Sequence, residues 1–198
     1  MTRRGRVIGV VLSVPEDVSR LANRIRRSYD PNFSRIGPHV TVLPPREVFQ
    51  TRRRIYESVA RVARATHPIR IVLGRIGTFS PVMPVVFAGL QRGTAPLGRL
   101  HRRLAAGALK GHEAFPYVPH LTLGQSLDAA RLPRAMALAR RLFEKASEKR
   151  WFADHLIVVE RVSDEVWIPH PPLSLDGRKA RQAPAHARSA AAAKRRKT

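Results

Sequence analysis

The chain has 198 residues, 43% of them hydrophobic, enough for one ordinary domain with a sizeable core or two small lobes sharing one. It has no cysteine, which excludes disulfides, zinc ribbons and thiol catalysis, and its longest apolar run falls far short of the roughly 20 residues of a membrane span. A formal charge of +23 favours polyanions, nucleic acid foremost, over neutral partners, although an excess of arginine and alanine is also what a biased genome produces.

In chain order, the basic start leads straight into an apolar, β-rich run over 6–14 and then Pro15, with no small-residue cleavage site. This reads as a first strand, not a secretory signal, and the cytoplasm is the expected compartment. Pro15-Glu-Asp opens a helix to about residue 28, with Val18, Leu21, Ala22 and Ile25 at helical spacing. Tyr29-Asp-Pro ends it. A strand over 37–43 stops at Pro44-Pro45, and a helix over 50–65 carries Ile55, Val59 and Val62 on one stripe. Strands are expected over 69–73 and 82–90 with turn residues between them. Residues 94–109 read as a helix with Leu97, Leu100 and Leu104 inward, 118–123 as a strand, and 127–149 as a helix despite Pro133. Strands over 156–162 and 166–168 close the body near Leu175. One domain is therefore expected over 1–175. The stretch 176–198 holds eight lysines and arginines against one aspartate and almost no large apolar residue, the signature of a disordered basic tail.

The order contains an internal echo. Pro38-His39-Val40-Thr41-Val42 and Pro119-His120-Leu121-Thr122-Leu123 both fit Pro-His-apolar-Thr-apolar. A bare His-x-Thr means little, but two copies of the longer pattern are roughly a one-in-10⁵ coincidence. On a strand, side chains alternate with period two, so His39 and Thr41 share one face while Val40 and Val42 sink into a core. His120 and Thr122 do the same against Leu121 and Leu123. If the two strands lie side by side, two imidazoles and two hydroxyls surround one groove. That set suits in-line attack at phosphorus: a neutral imidazole takes a proton from the nucleophile, an imidazolium protonates the leaving oxygen, and the threonines bond the non-bridging oxygens. Histidine suits both tasks because its unperturbed pKa is about 6.5. The two motifs are chemically equivalent on paper, so base and acid are interchangeable at this level.

The paired motifs, with Arg26-Arg-Ser-Tyr-Asp-Pro before the first and Phe115-Pro-Tyr-Val-Pro-His leading into the second, resemble the 2H phosphoesterase superfamily, in particular its 2′-5′ RNA ligase-like branch. The resemblance spans about residues 6–168. It implies an α+β fold of two lobes with pseudo-twofold symmetry, two antiparallel sheets lining a central groove and helices outside. It also implies hydrolysis or formation of 2′,3′-cyclic or 2′-5′ phosphodiesters of RNA or nucleotides. His39, Thr41, His120 and Thr122 are the expected catalytic residues, with no metal and no cofactor, and a monomer is expected. The competing reading is an RNA-binding module of the same fold with little turnover, supported by the charge and the basic tail.

Other residues are less specific. Arg35 is a candidate for phosphate contact, and Phe115 and Tyr117 for stacking on a base, with core packing the expected role of at least one aromatic. His112-Glu113 lies in the same approach loop. His67, His101, His155 and His170 show no paired context. Tyr56, Trp151 and Trp167 read as core or strand residues, and Arg52-Arg-Arg and Arg140-Arg141 as solvated helix faces. No glycine-rich phosphate loop or dinucleotide fingerprint is present.

Overall fold

The structure is a computed structural model and describes residues 5–147, 149–164 and 166–177. The elements run β1 (Arg6–Ser13), α1 (Glu16–Tyr29), β2 (His39–Val48), α2 (Arg52–Arg64), β3 (Ile69–Phe79), β4 (Met83–Arg92) and α3 (Thr94–Ala105). They continue with β5 (His120–Gly124), α4 (Arg131–Glu144), β6 (Arg150–Ala153), β7 (His155–Arg161), β8 (Trp167–Pro169) and β9 (Leu173–Ser174).

The strands pair antiparallel in the order β6-β3-β4-β5-β2-β1-β7-β8, with β9 added on β7. The order is symmetric about the β5–β2 junction. Four strands of each lobe meet there, and β4, β3 and β6 on one side answer β1, β7 and β8 on the other. The helices obey the same symmetry. α1 leaves β1 but packs on β5, and α3 leaves β4 but packs on β2. α4 then covers β3 and β4, while α2 covers β7 and β9. Each lobe thus lends a helix to the strand of the other. The result is the expected α+β, bilobal, pseudo-twofold arrangement with helices outside.

Local chemistry explains the elements. α1 puts Val18, Ala22 and Ile25 on one buried face, with Glu16 and Asp17 in the first turn and Arg26 and Arg27 in the last, both favourable to the helix dipole. It ends at Asp30, ahead of Pro31. Thr51 caps α2 by accepting a bond from the Arg54 amide at 3.3 Å. Pro133 falls in the first turn of α4, where its missing N–H costs nothing. Beneath the β2–β5 junction Val40, Val42, Leu121 and Leu123 are all fully buried. Each contributes about 1.5–3 kcal/mol, so the alternate side chains are held firmly on the opposite face.

Several boundaries differ from the sequence expectation. β2 does not stop at Pro44-Pro45 but continues to Val48. The register against β1 shifts there, from Val10↔Leu43 to Ile8↔Arg46, and a bulge accommodates residues that cannot donate to a ladder. β3 and β4 form a longer hairpin than expected, with register shifts around Gly74 in place of turn residues. α3 and α4 end early, at Ala105 and Glu144, and the predicted helix over 127–149 concealed the approach to β6. β9 was not predicted. The body runs slightly past Leu175, which is buried, to a bond from the Gly177 amide to the Thr66 carbonyl at 3.0 Å. From residue 178 the expected basic tail lies outside the described residues. Among those described, no helix is long and apolar enough to cross a membrane.

Candidate active site

The two motifs are neighbours. β2 and β5 pair antiparallel through Val40↔Leu121. One step to either side, that register sets His39 opposite Thr122 and Thr41 opposite His120. Residues directly opposite share a face, with β-carbons about 4.5–5.5 Å apart, and the two histidines lie on the diagonal at about 7–8 Å. All four are partly exposed while their alternates are buried. The result is a square of two imidazoles and two hydroxyls astride the pseudo-twofold axis.

The rings are held alike. His39 Nδ1 lies 2.8 Å from the Gly37 carbonyl, and His120 Nδ1 lies 2.7 Å from the Val118 carbonyl. A carbonyl only accepts, so Nδ1 carries a proton in both rings and Nε2 is the nitrogen left for chemistry. Burial pushes both imidazoles below the usual histidine range, against the opposing pull of those carbonyls. Arg26 and His120 push His39 further down, and Asp30 draws it up.

Each motif is approached by a loop braced from within. In the first half, Arg26 is buried and donates to Asp30 at 2.8 Å and to the Ile36 carbonyl at 2.7 Å. Asp30 also accepts from Gln125, just past β5, at 2.8 Å. In the second half, buried Arg46 of β2 bonds Glu113 and donates to the Leu109 carbonyl at 3.4 Å. Glu113 also meets His101 Nε2 at 3.1 Å. Tyr117 stacks flat on His101 with centroids 4.0 Å apart and donates to the Thr41 carbonyl at 2.9 Å. Each loop is therefore tied to the strand that carries the other motif.

Two contiguous cavities meet at the square, and Thr41 lines both. One, about 230 Å³, has a mixed lining that includes Arg26, Asp30, His39, Thr122, Gln125 and Trp167. The other, about 660 Å³, is largely apolar, with His120, Phe79, Val82, Met83 and Phe115. His120 itself packs against Phe79 and Phe87, with centroids 5.0 and 5.1 Å away.

The remaining sequence candidates divide. Phe115 is exposed and lines the apolar cavity. Tyr117 borders the same cavity, but His101 covers one face and its hydroxyl is engaged, so it serves as a brace. Arg35 bonds Asn32 at 3.4 Å and borders a small cavity beside His39 and Trp167. His101, expected to stand alone, is paired with Glu113. Trp167, expected in a strand or the core, is half-exposed on β8 at the groove. Arg52, expected on a solvated face, bonds the buried Glu160 at 2.8 Å. Phe79 and Gln125 carried no motif that marked them, while Arg26 and Asp30 lie in the approach segment that carries the family resemblance, without a role assigned to either. Among the described residues, no three histidine, aspartate or glutamate side chains cluster at metal-ligating spacing.

A family model described as the 2′-5′ RNA ligase superfamily matches residues 14–165. Proteins named as phosphoesterases in Bacillus thuringiensis (strain Al Hakam) and Bacillus cereus (strain AH187) are each 30% identical over 127 residues, covering 62% of this chain and 72% of theirs. Among solved structures, E. coli LigT complexed with 3′-AMP superposes with a TM-score of 0.58 at 11% identity, over 86% of this chain and 98% of that one. The protein TT0787 of Thermus thermophilus does so with a TM-score of 0.59 at 19% identity, over 87% of this chain and 100% of the other.

Proposed function

Since the chain belongs to the 2′-5′ RNA ligase superfamily of phosphoesterases, we propose that it is a metal-independent phosphodiesterase acting on 2′,3′-cyclic phosphates or 2′-5′ linkages of RNA or nucleotides, using His39, Thr41, His120 and Thr122. The observation that carries this reading is the register of β2 against β5, which sets each histidine opposite the other motif's threonine.

In the proposed reaction one neutral imidazole accepts at Nε2 a proton from water, whose oxygen bonds to phosphorus. The bond from phosphorus to the ribose oxygen breaks, and the second imidazole, protonated at Nε2, hands its proton to that oxygen. Each Nδ1–carbonyl bond keeps Nε2 directed to the cavity in either state. The threonine hydroxyls donate to the non-bridging oxygens, where charge builds up. With the 5′-hydroxyl of a second RNA end in place of water, the same proton transfers form its bond to phosphorus, break the bond to the 3′-oxygen and leave a 2′-5′ phosphodiester. The apolar cavity beside His120 suits a nucleobase against Phe79 and Phe115. The fold neighbour E. coli LigT has been crystallised with ATP and with 3′-AMP, which accords with a nucleotide occupant.

The test is chromatographic product analysis on 2′,3′-cyclic nucleotides and 2′-5′ dinucleotides, with EDTA-treated protein beside protein given Mg²⁺ or Mn²⁺. Turnover that survives chelation is the expected result. Turnover appearing only with metal overturns the two-imidazole mechanism. No turnover, with salt-sensitive RNA association, supports the binding-module reading instead.

A further inference from the structure

The cluster of Arg46, His101, Glu113 and Tyr117 lies outside the square and takes no part in the proposed chemistry. It is buried all the same. Arg46 and His101 are 7% and 6% exposed, a placement that charged groups take up only when paired. His101 is unusual in that both ring nitrogens face acceptors. Nδ1 lies 2.9 Å from the Val42 carbonyl and Nε2 lies 3.1 Å from the Glu113 carboxylate. A neutral imidazole has one N–H, so one of these contacts would set a lone pair against an oxygen. The imidazolium satisfies both. Burial raises the Glu113 carboxyl, but Arg46 and His101 together outweigh it and hold the group below its usual range, as an anion.

The consequences run to the site through Tyr117. Its ring stacks on His101 and its hydroxyl bonds the Thr41 carbonyl, while His101 bonds the next carbonyl, Val42. The two rings together clasp consecutive residues of the first motif's strand. The segment they anchor, residues 106–119, carries Phe115 at the wall of the apolar cavity and Val118, whose carbonyl orients His120. We infer that His101 is a positioning residue: its two ring bonds, to the Val42 carbonyl and to Glu113, together with the Tyr117 ring stacked on it, keep this loop seated against β2 and so set substrate binding in the cavity beside His120. The groups that face it are Glu113 and Tyr117 from the loop and Arg46 from β2. Among the described residues, α2 and β4 add no ion pair to it.

The inference rests on the phosphodiesterase reading only for its kinetic arm. In His101→Gln the backbone amides of residues 112–118 should exchange with solvent on the order of 10-fold faster than in the wild type, as loss of a charge-assisted bond implies, and those of 31–36 should not change. Glu113→Gln, which keeps a bond acceptor on the loop, should show the same pattern more weakly. For a 2′,3′-cyclic nucleotide, His101→Gln should raise KM on the order of 10-fold, with kcat changed less. Loop amides indifferent to His101→Gln, in a variant whose circular dichroism matches the wild type, overturn the inference whether or not any phosphodiester is cleaved. If the amides behave as stated and nothing turns over, the functional reading fails and the clamp stands.

Discussion

His39 and His120 hold equivalent places in the two halves and point Nε2 into the same groove, but their surroundings differ. His39 stands beside the buried Arg26–Asp30 pair and the smaller cavity of mixed lining. His120 stands against two phenylalanine rings and a mostly apolar cavity. Duplicated backbone geometry delivers two like imidazoles, and the unduplicated side chains make them unlike. Acid–base catalysis at phosphorus needs that inequality, because one ring must be neutral while the other is charged.

The largest expected effect tests what the halves share. His39→Ala and His120→Ala should each lower kcat for a 2′,3′-cyclic nucleotide about 10²- to 10⁴-fold, with circular dichroism unchanged. Near-wild-type rates in either folded variant would falsify the two-histidine mechanism. Next comes the brace of the first half. Asp30→Asn leaves Arg26 buried without its carboxylate and should cost about 3 kcal/mol in denaturant unfolding, the lower end for a broken buried pair because asparagine still accepts a bond. A cost below about 0.5 kcal/mol, the size of an ordinary surface change, would mean that the pair does not hold the loop. Thr41→Val and Thr122→Val keep the β-branched shape and delete a donor. Each should slow turnover on the order of 10- to 1000-fold, and unchanged rates would reduce the threonines to strand formers.

What was legible in the sequence follows the same division. The motifs were visible because a strand's period of two converts directly into a face, and because the pattern occurs twice. Pseudo-symmetry was visible for the same reason. The braces were not. His101 and Glu113 meet only because α3 crosses onto β2, and nothing in composition marks Arg26 and Arg46 as buried among the many arginines. Trp167 lies on a strand, as its surroundings in the sequence suggest, but a short strand at the edge of a sheet carries no periodic signal to show that it borders the groove. The approach to β6 vanished into the α4 expectation because no proline or glycine stands between Glu144 and Arg150 to stop a helix. Arg35 drew notice by its nearness to His39 along the chain, and it borders a small cavity with His39 while bonding Asn32.

The smallest effect is also the one that separates the two rings. Burial holds both imidazoles below the ordinary histidine range, so the kcat/KM profile, which reports the free enzyme, should be a bell with its optimum on the acid side of about 6.5. An optimum well above neutrality would contradict the burial argument. The limbs belong to the coupled pair, and symmetry alone cannot say which ring owns which. Phe79 offers a handle because it lies edge-on to His120 and belongs to the apolar cavity, whereas the walls around His39 do not include it. Phe79→Ser admits water to His120 and relieves the desolvation that depresses it. One limb should therefore move to higher pH while the other stays in place, and the one that moves is the limb His120 controls. If both limbs shift together, the cavities do not insulate the rings. If neither shifts, His120 does not titrate in the reaction, and the inequality between the halves lies elsewhere.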